Sequence, residues 1–266
     1  MNSMTLTTQD AAFAPLTPKR LLAAYVAETR CEFMRQLRNA GLAVPILLLP
    51  VGLYSLFAIA IFGEAIDKDA TAGVFIFAGL AVLAVTMPAL FGIGATLAME
   101  RDMGLLRLKR AQPAPAGSWL VAKITCGIAF GILAYTPMVI VALATGKLSL
   151  PPAQVAALSA ALLAGTIPFC AMGLMVGTLV SGSAAPGYAN LIYLPGCYLS
   201  GLFFPLPKSM SWQTPIWPQF HVDQLAMHAA GVAKFQTEPM SIAIVSLVGY
   251  TALFSAVAIW RLARKG

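Results

Sequence analysis

Charged residues are scarce in this sequence: Asp, Glu, Lys and Arg make up 10% of its 266 residues, whereas hydrophobic residues make up 59%. A typical globular protein has about 25% charged and about 45–50% apolar residues. The shortage of charge therefore excludes a soluble globular fold and a disordered chain. The mean hydropathy of +0.81 instead indicates an all-α integral membrane protein.

Histidine and cysteine are also rare, with two and four residues. The cysteines lack the spacing of metal-binding or redox motifs. One grouping resembles a metal site, namely His221, Asp223 and His228, but its irregular spacing favours hydrogen bonding at a membrane interface over zinc binding. We therefore expect neither a metal site nor a cofactor in this chain.

Stretches without charge locate the membrane spans, because an α-helix needs about 20 apolar residues to cross the hydrocarbon core. Four stretches of 22 to 30 uncharged residues each fit one helix, and residues 148–207 form a fifth stretch of 60. The segment Ser181–Gly187, rich in Gly, Ser and Ala with one Pro, divides this fifth stretch into two helices. The six predicted spans are approximately residues 41–63, 72–99, 119–144, 153–180, 187–205 and 240–260.

Basic residues are distributed unevenly along the chain. Thirteen of the seventeen Lys and Arg lie in residues 1–38, 100–123 and 261–266, which six spans would place on one side of the membrane. Basic residues concentrate on the cytoplasmic side of membrane proteins. We therefore expect a multi-pass protein of the bacterial cytoplasmic (inner) membrane with both termini in the cytoplasm. The same distribution explains the net charge of +7 without a nucleic-acid partner.

Residues 17–38 have the pattern of an amphipathic helix, which Thr17 can cap and in which Pro18 suits the first turn. Apolar residues recur at helical spacing opposite three arginines. We expect the helix to lie flat on the inner leaflet in contact with lipids, and a helix docked on a soluble neighbour is the alternative. The apolar residues are Leu22, Tyr25, Val26, Phe33 and Leu37, and the arginines are Arg30, Arg35 and Arg38.

The segment between the second and third spans, residues 100–118, carries the most informative pattern. Leu105, Leu106 and Leu108 lie among charged residues, and prolines close the segment. This pattern predicts a short helix that offers an apolar ridge in a basic frame, which is typical of a docking surface. A loop that only sets the topology is the alternative.

Two motifs in the chain are specific enough to compare with a known family. The first comprises Glu100, Arg101, Gly104, Leu106, Leu108, Pro113 and Lys123, and the second is Leu-Ser-Gly-Leu-Phe-Phe-Pro at residues 199–205. Both resemble motifs of the ABC-2 type permeases, the membrane subunits of ABC exporters for drugs, polysaccharides and lipooligosaccharides. The sequence of residues 105–110 looks closest to the daunorubicin-type drug exporter branch. Ala122 stands where the family has a glycine before the lysine, and Arg107 where many members have an acidic residue.

The resemblance implies one transmembrane domain over residues 1–266, with an interfacial helix at 17–38, a cytoplasmic coupling helix within 100–118 and an outer re-entrant hairpin at 206–237. It also implies a cytoplasmic ABC ATPase subunit that uses ATP and Mg²⁺, and a second permease copy or a paralogue. The ATPase would bind the coupling helix and open an outward path on closing. An ion pair between the start of this loop and a leader arginine, Arg30, Arg35 or Arg38, is a further hypothesis. The resemblance assigns coupling to Glu100, Arg101, Gly104, Leu105, Leu106, Leu108, Arg110 and Pro113.

The chain itself is not expected to be an enzyme. Its Gly146–Lys147 pair has Val141 in place of the first P-loop glycine and Leu148 in place of the Ser or Thr that binds Mg²⁺. Energy must then come from a partner. A secondary, ion-coupled carrier is the alternative function, but such carriers place ionisable groups in mid-membrane. In this sequence the ionisable residues fall at span ends or in loops.

A pathway without internal charges favours a hydrophobic or amphiphilic substrate, such as a drug, a lipid, a glycolipid or a polysaccharide. Aromatic residues of the fifth span are candidates to line it, at Tyr188, Tyr193, Tyr198 and Phe203. We expect the same span to form the seam between two permease copies, because its aromatic residues and Gly196 allow close packing.

Overall fold

The protein was analysed as a computed structural model, which describes residues 17–111, 115 and 117–265. The described residues form α-helices joined by short turns, with two π-helical and two 3₁₀ segments and no strand. The α-helices are α1 Pro18–Arg38, α2 Ala40–Tyr54, α3 Gly63–Lys68, α4 Ala70–Met87, α5 Ile93–Asp102, α6 Leu105–Ala111, α7 Ser118–Ala144, α8 Pro152–Ala164, α9 Thr166–Leu179, α10 Ala185–Leu199, α11 Pro218–Ala230 and α12 Met240–Lys265.

Five helical segments in the described part of the chain are long and apolar enough to cross a membrane. They correspond to the first four predicted spans and the sixth, and they confirm the all-α membrane fold. Two of them join consecutive helices: α4 and α5 through a π-helical turn, and α8 and α9 at Gly165. The five segments are Ala43–Ile61, Ala70–Asp102, Ser118–Ala144, Pro152–Leu179 and Met240–Arg264.

The fifth predicted span, residues 187–205, differs from the other five. Its helix α10 has 15 residues and ends at Leu199. At 1.5 Å per residue that length is about 22 Å, which is shorter than the hydrocarbon core of about 30 Å. The chain then continues through a 3₁₀ turn, Ser211–Ile216, into α11. A complete crossing at α10, and with it the count of six spans, stays a prediction.

The second span, Ala70–Asp102, is the most buried of the five and forms the centre of the bundle. Its π-helical turn, Pro88–Gly92, begins at a proline, which has no N–H to donate to the preceding turn. Helix α9 lies against this turn, where a Cβ on Gly173 would come within 2.8 Å of the Leu90 carbonyl oxygen. A glycine is therefore required at this crossing.

Helix α1 packs along the first half of α7, where the rings of Phe33 and Phe130 are 5.1 Å apart. Its buried residues are polar, Glu32 and Gln36, while Leu22 and Val26 are exposed. The helix begins at Pro18 as expected, but the prediction that the Thr17 side chain caps it is wrong. The Thr17 carbonyl accepts from the Leu21 N–H at 2.9 Å, whereas its hydroxyl makes no capping hydrogen bond.

The two ends of the bundle differ in what they carry. One end, called here the network end, holds α1, α6, the end of α5 and the start of α7. The opposite end, called here the far end, holds α3, the turn before α8 and residues 200–239. Two ion pairs join segments at the far end: Lys147 to Asp67 at 2.6 Å, and Lys234 to Asp69 at 2.7 Å.

Candidate functional site

The network end contains three acidic and three basic side chains that contact one another across four helices. We call these six residues the charge network. Helix α1 supplies three of them, and α5, α6 and α7 supply one each. The charge network consists of Glu28, Glu32 and Arg35 of α1, Glu100 of α5, Lys109 of α6 and Lys123 of α7.

Lys123 lies at the centre of the charge network. Its Nζ is 2.9 Å from Glu32 Oε1 and 3.2 Å from Glu100 Oε2, and it donates to Thr96 Oγ1 at 3.2 Å. The side chains of all three ionised residues are at most 4% exposed. Removing one partner from such a group leaves a buried charge uncompensated, which costs about 3–5 kcal/mol. The three residues therefore hold α1, α5 and α7 together as a unit.

The other two cations of the charge network, Arg35 and Lys109, are more exposed than Lys123. Arg35 reaches Glu32 at 2.6 Å and Glu100 at 2.5 Å, which confirms the hypothesis of an ion pair with a leader arginine. Lys109 reaches Glu28 at 3.0 Å and Glu100 at 3.6 Å. These contacts connect α6 to both α1 and α5.

The acidic and basic charges of this cluster stabilise one another. Burial by itself would raise the pKa of Glu32, but the positive charges of Lys123 and Arg35 outweigh it and lower that pKa below its ordinary value. Burial would likewise lower the pKa of Lys109, yet the carboxylates of Glu100 and Glu28 raise it. The opposite charges of the network thus favour the ionised forms of Glu32 and Lys109.

The neighbours of Glu100 contact a different helix. Arg101 donates to the carbonyl oxygens of Thr178 at 2.5 Å and Val180 at 2.6 Å, where α9 ends and its last carbonyls lack helical partners. The Asp102 carboxylate accepts from the Gly182 N–H at 2.7 Å. Three consecutive residues at the end of the second span therefore connect it to α1, α7 and α9.

Helix α6 begins after a turn at Gly104, whose φ of +72° lies in the left-handed region that glycine adopts without strain. The expected ridge of three leucines is not one exposed surface. Leu106 is buried, Leu105 is half-buried and Leu108 is 62% exposed, because consecutive helical positions point about 100° apart. Met103, which the sequence analysis did not single out, is equally exposed. The Arg110 side chain and Pro113 lie outside the described residues.

The four aromatic residues predicted to line a pathway occupy two environments. Tyr188 and Tyr198 are exposed on α10, and the Tyr198 ring lies 5.3 Å from that of Phe203. Tyr193 is 1% exposed, and its hydroxyl lies 2.7 Å from Thr86 Oγ1 in the core. Within this chain Tyr193 thus has the environment of a core residue, and a pathway role for the four stays a prediction.

The two histidines at the far end form hydrogen bonds, as expected from their spacing in the sequence. His221 contacts the Glu238 carboxylate through Nδ1 at 2.7 Å and the Pro215 carbonyl through Nε2 at 2.9 Å. His228 Nε2 lies 2.8 Å from the Glu238 backbone oxygen. Among the described residues, no three His, Cys, Asp or Glu side chains are grouped as metal ligands would be.

Comparisons with known proteins agree with this architecture. The family model described as ABC-2 type transporter matches residues 24–221, a range that contains the whole charge network, α6 and α10. A protein of Bacillus subtilis (strain 168) named "Putative transport permease YvfS" is 22% identical over 193 residues, which cover 71% of this chain and 78% of that protein.

Proposed function

The chain belongs to the ABC-2 type transporter family, and from this premise we propose that it is the membrane subunit of an ATP-driven exporter. As a transmembrane permease of that family, it works with an ABC ATPase subunit. The substrate that we propose is hydrophobic or amphiphilic and leaves across the cytoplasmic membrane. ATP and Mg²⁺ would bind to the partner ATPase.

The distribution of basic residues supports an orientation with the network end in the cytoplasm. Both α1 and α6 lie at that end, together with most of the Lys and Arg of the chain. Basic segments remain on the cytoplasmic side during membrane insertion. In this orientation α6 faces the compartment that contains ATP, and the far end faces outward.

The observation that carries the proposal is the burial of Lys123 between Glu32 and Glu100. Through Lys109, this buried group is connected to α6, the short helix that projects Leu108 into solvent. An ATPase that pushes on α6 would displace α1, α5 and α7 together, because separating them exposes unpaired buried charge. Arg101 extends the same connection to the end of α9.

A second copy of the chain, or a paralogue, fits the exposed face of α10. Tyr188, Leu191 and Tyr198 are each more than half exposed on this helix. Exposed aromatic side chains on a membrane-embedded helix favour packing against another protein as well as against a substrate. We assign the pathway role to Tyr188 and Tyr198, in preference to the buried Tyr193.

The test is transport by the permease and its cognate ATPase reconstituted together in proteoliposomes. Replacing Lys109 with Gln should retain the assembled complex but lower the substrate moved per ATP hydrolysed by about tenfold, since it removes the ionic connection between α6 and the buried group. The matched control is Arg107→Gln, which removes an exposed cation from the same helix and should change this ratio less than twofold.

Two outcomes would contradict the proposal. One is transport driven by an ion gradient without ATPase or ATP, which would favour the carrier alternative. The other is equal coupling in the Lys109 and Arg107 variants, which would show that the charge network does not transmit the motion of α6.

A further inference from the structure

The far end contains a cavity of about 600 Å³ that the proposed mechanism of coupling does not use. This volume is in the range of sites for small organic molecules. Its apolar walls include the rings of Phe75, Phe220 and Phe235, and its polar walls include Asp223 and Glu238. The cavity thus combines aromatic surface with acidic groups.

Most of the ionisable groups in this cavity have partners. Lys234 also lines it, but its ammonium group pairs with Asp69 at 2.7 Å. Glu238 pairs with His221, whose second ring nitrogen faces the Pro215 carbonyl. Both nitrogens of His221 therefore lie against oxygen atoms, and Glu238 has a hydrogen-bond partner of its own.

Asp223 is the exception among these charged groups. Asp223 is 5% exposed, and its Oδ1 has no hydrogen-bond partner within the part of the chain that the structure describes. Burial raises the pKa of Asp223 to about 7. A buried polar atom left unpaired costs free energy that a suitable ligand would recover.

We propose that this cavity binds the ammonium group of an amphiphilic organic amine, with Asp223 as its counter-ion and the phenylalanine rings around its apolar part. The phenyl rings suit this ligand because aromatic faces attract cations, and the Lys234 ammonium already lies 5.5 Å from the centre of the Phe235 ring. A metal ion fits less well, since no third acidic or histidine ligand is grouped with these residues in the described ranges.

The biological role of this site rests on the proposed function: in an exporter, an amphiphilic amine would be a substrate held at the outward end before release. Binding itself can be measured on the permease alone. The probe is 4-phenylbutylamine, and its neutral counterpart is 4-phenylbutan-1-ol. Purified permease in phosphatidylcholine nanodiscs is titrated by calorimetry in phosphate buffer at pH 8, and empty nanodiscs provide the background.

The wild-type protein should bind the amine at least tenfold more tightly than the alcohol. Asp223→Asn should weaken amine binding at least tenfold and leave alcohol binding unchanged, because it removes the charge and keeps the shape. The matched control, Asp67→Asn, removes another carboxylate of the far end, one that is paired with Lys147, and should change amine affinity less than twofold. Asp223→Glu should retain most of the preference for the amine.

Two further measurements keep the inference falsifiable. If the Asn variant does not fold, the wild-type protein should still lose its preference for the amine as the pH falls from 8 to 5, because Asp223 becomes protonated. Equal affinity for amine and alcohol at pH 8, or unchanged amine binding in a folded Asn variant, would overturn it. If the protein transports with ATP but does not bind the amine, only the proposed amine site is wrong. If it binds the amine but shows no ATP-driven transport, the proposed exporter function is wrong and the amine site stands.

Discussion

The two ends of the molecule both bury carboxylates, but they compensate them differently. At the network end Glu32 and Glu100 enclose the ammonium group of Lys123, and Arg35 contacts both from the rim. At the far end Asp223 lies in a cavity wall, and its Oδ1 has no hydrogen-bond partner among the residues that the structure describes. Paired burial of this kind fixes helices relative to one another, while unpaired burial costs stability and is retained where a ligand completes it.

The largest expected effect comes from removing the central cation of the charge network. Lys123→Met removes the only buried cation of the described charge network and leaves two carboxylates facing each other. We expect the free energy of unfolding to fall by about 3–5 kcal/mol. Thermal unfolding of the purified protein in detergent measures this. The control is Lys68→Met, which removes an exposed lysine at the far end; an equal loss in both variants would contradict a central role for Lys123.

The next effect concerns the surface of α6 rather than its connection to the bundle. Leu108→Asp places a charge on an exposed apolar position, where it should leave the fold intact and weaken co-purification of the ATPase at least tenfold. Leu108→Met keeps an apolar side chain and should bind normally. Unchanged co-purification of the Asp variant, measured at matched expression, would mean that the ATPase does not contact this residue.

At the far end, removing a buried charge should have the opposite effect and raise the stability of the protein. Asp223→Asn removes an uncompensated buried charge, so in an amine-free buffer it should raise the unfolding temperature by a few degrees at pH 8. Because burial raises the pKa of Asp223 to about 7, the wild-type protein loses stability as the pH rises from about 4, the unfolded value, through 7. The gain in the variant should therefore shrink towards pH 4. A lower unfolding temperature at pH 8 would show that Asp223 has a hidden partner.

The helical elements could largely be predicted from the sequence, because charge-free length and flanking charges are local signals. Helix α1 matches the predicted residues 17–38, and five of the six predicted spans agree to within four residues. The end of α10 at Leu199 was not predicted, because the uncharged sequence continues to Pro207 while the backbone turns. Hydropathy alone does not register such a turn.

The partners within the candidate site were less predictable, because they are distant in the sequence. Lys123 belongs to a recognisable motif, yet its partner Glu32 is 91 residues away. The available signal was the spacing of Glu28 and Glu32, which places two carboxylates on one face of an otherwise apolar and basic helix. At the far end, the pairing of His221 with Glu238 leaves Asp223 alone, and the spacing of the three outer residues does not reveal it.

The smallest expected effect separates burial from pairing as the cause of the difference between the ends. Lys234 and Asp69 form an ion pair at 2.7 Å, as short as those of the charge network, but on the surface. The hydrogen bond from Lys234 is the main cause that lowers the pKa of Asp69, to about 2. Its contribution is therefore present above about pH 4 and is lost as the pH falls towards 2.

Exposed pairs are weakened by water and salt, so Asp69→Asn should lower the unfolding temperature far less than Lys123→Met does at pH 7. Asn keeps a side-chain oxygen that can accept the hydrogen bond from the Thr71 N–H, which caps α4, so the small loss comes mainly from the ion pair. In 1 M KCl the contribution of the Lys234–Asp69 ion pair to stability should vanish. The loss of stability caused by Lys123→Met should persist, because the ion pairs of Lys123 are buried away from water and salt. A loss from Asp69→Asn as large as that from Lys123→Met would show that pairing, independent of burial, determines the strength of both ends.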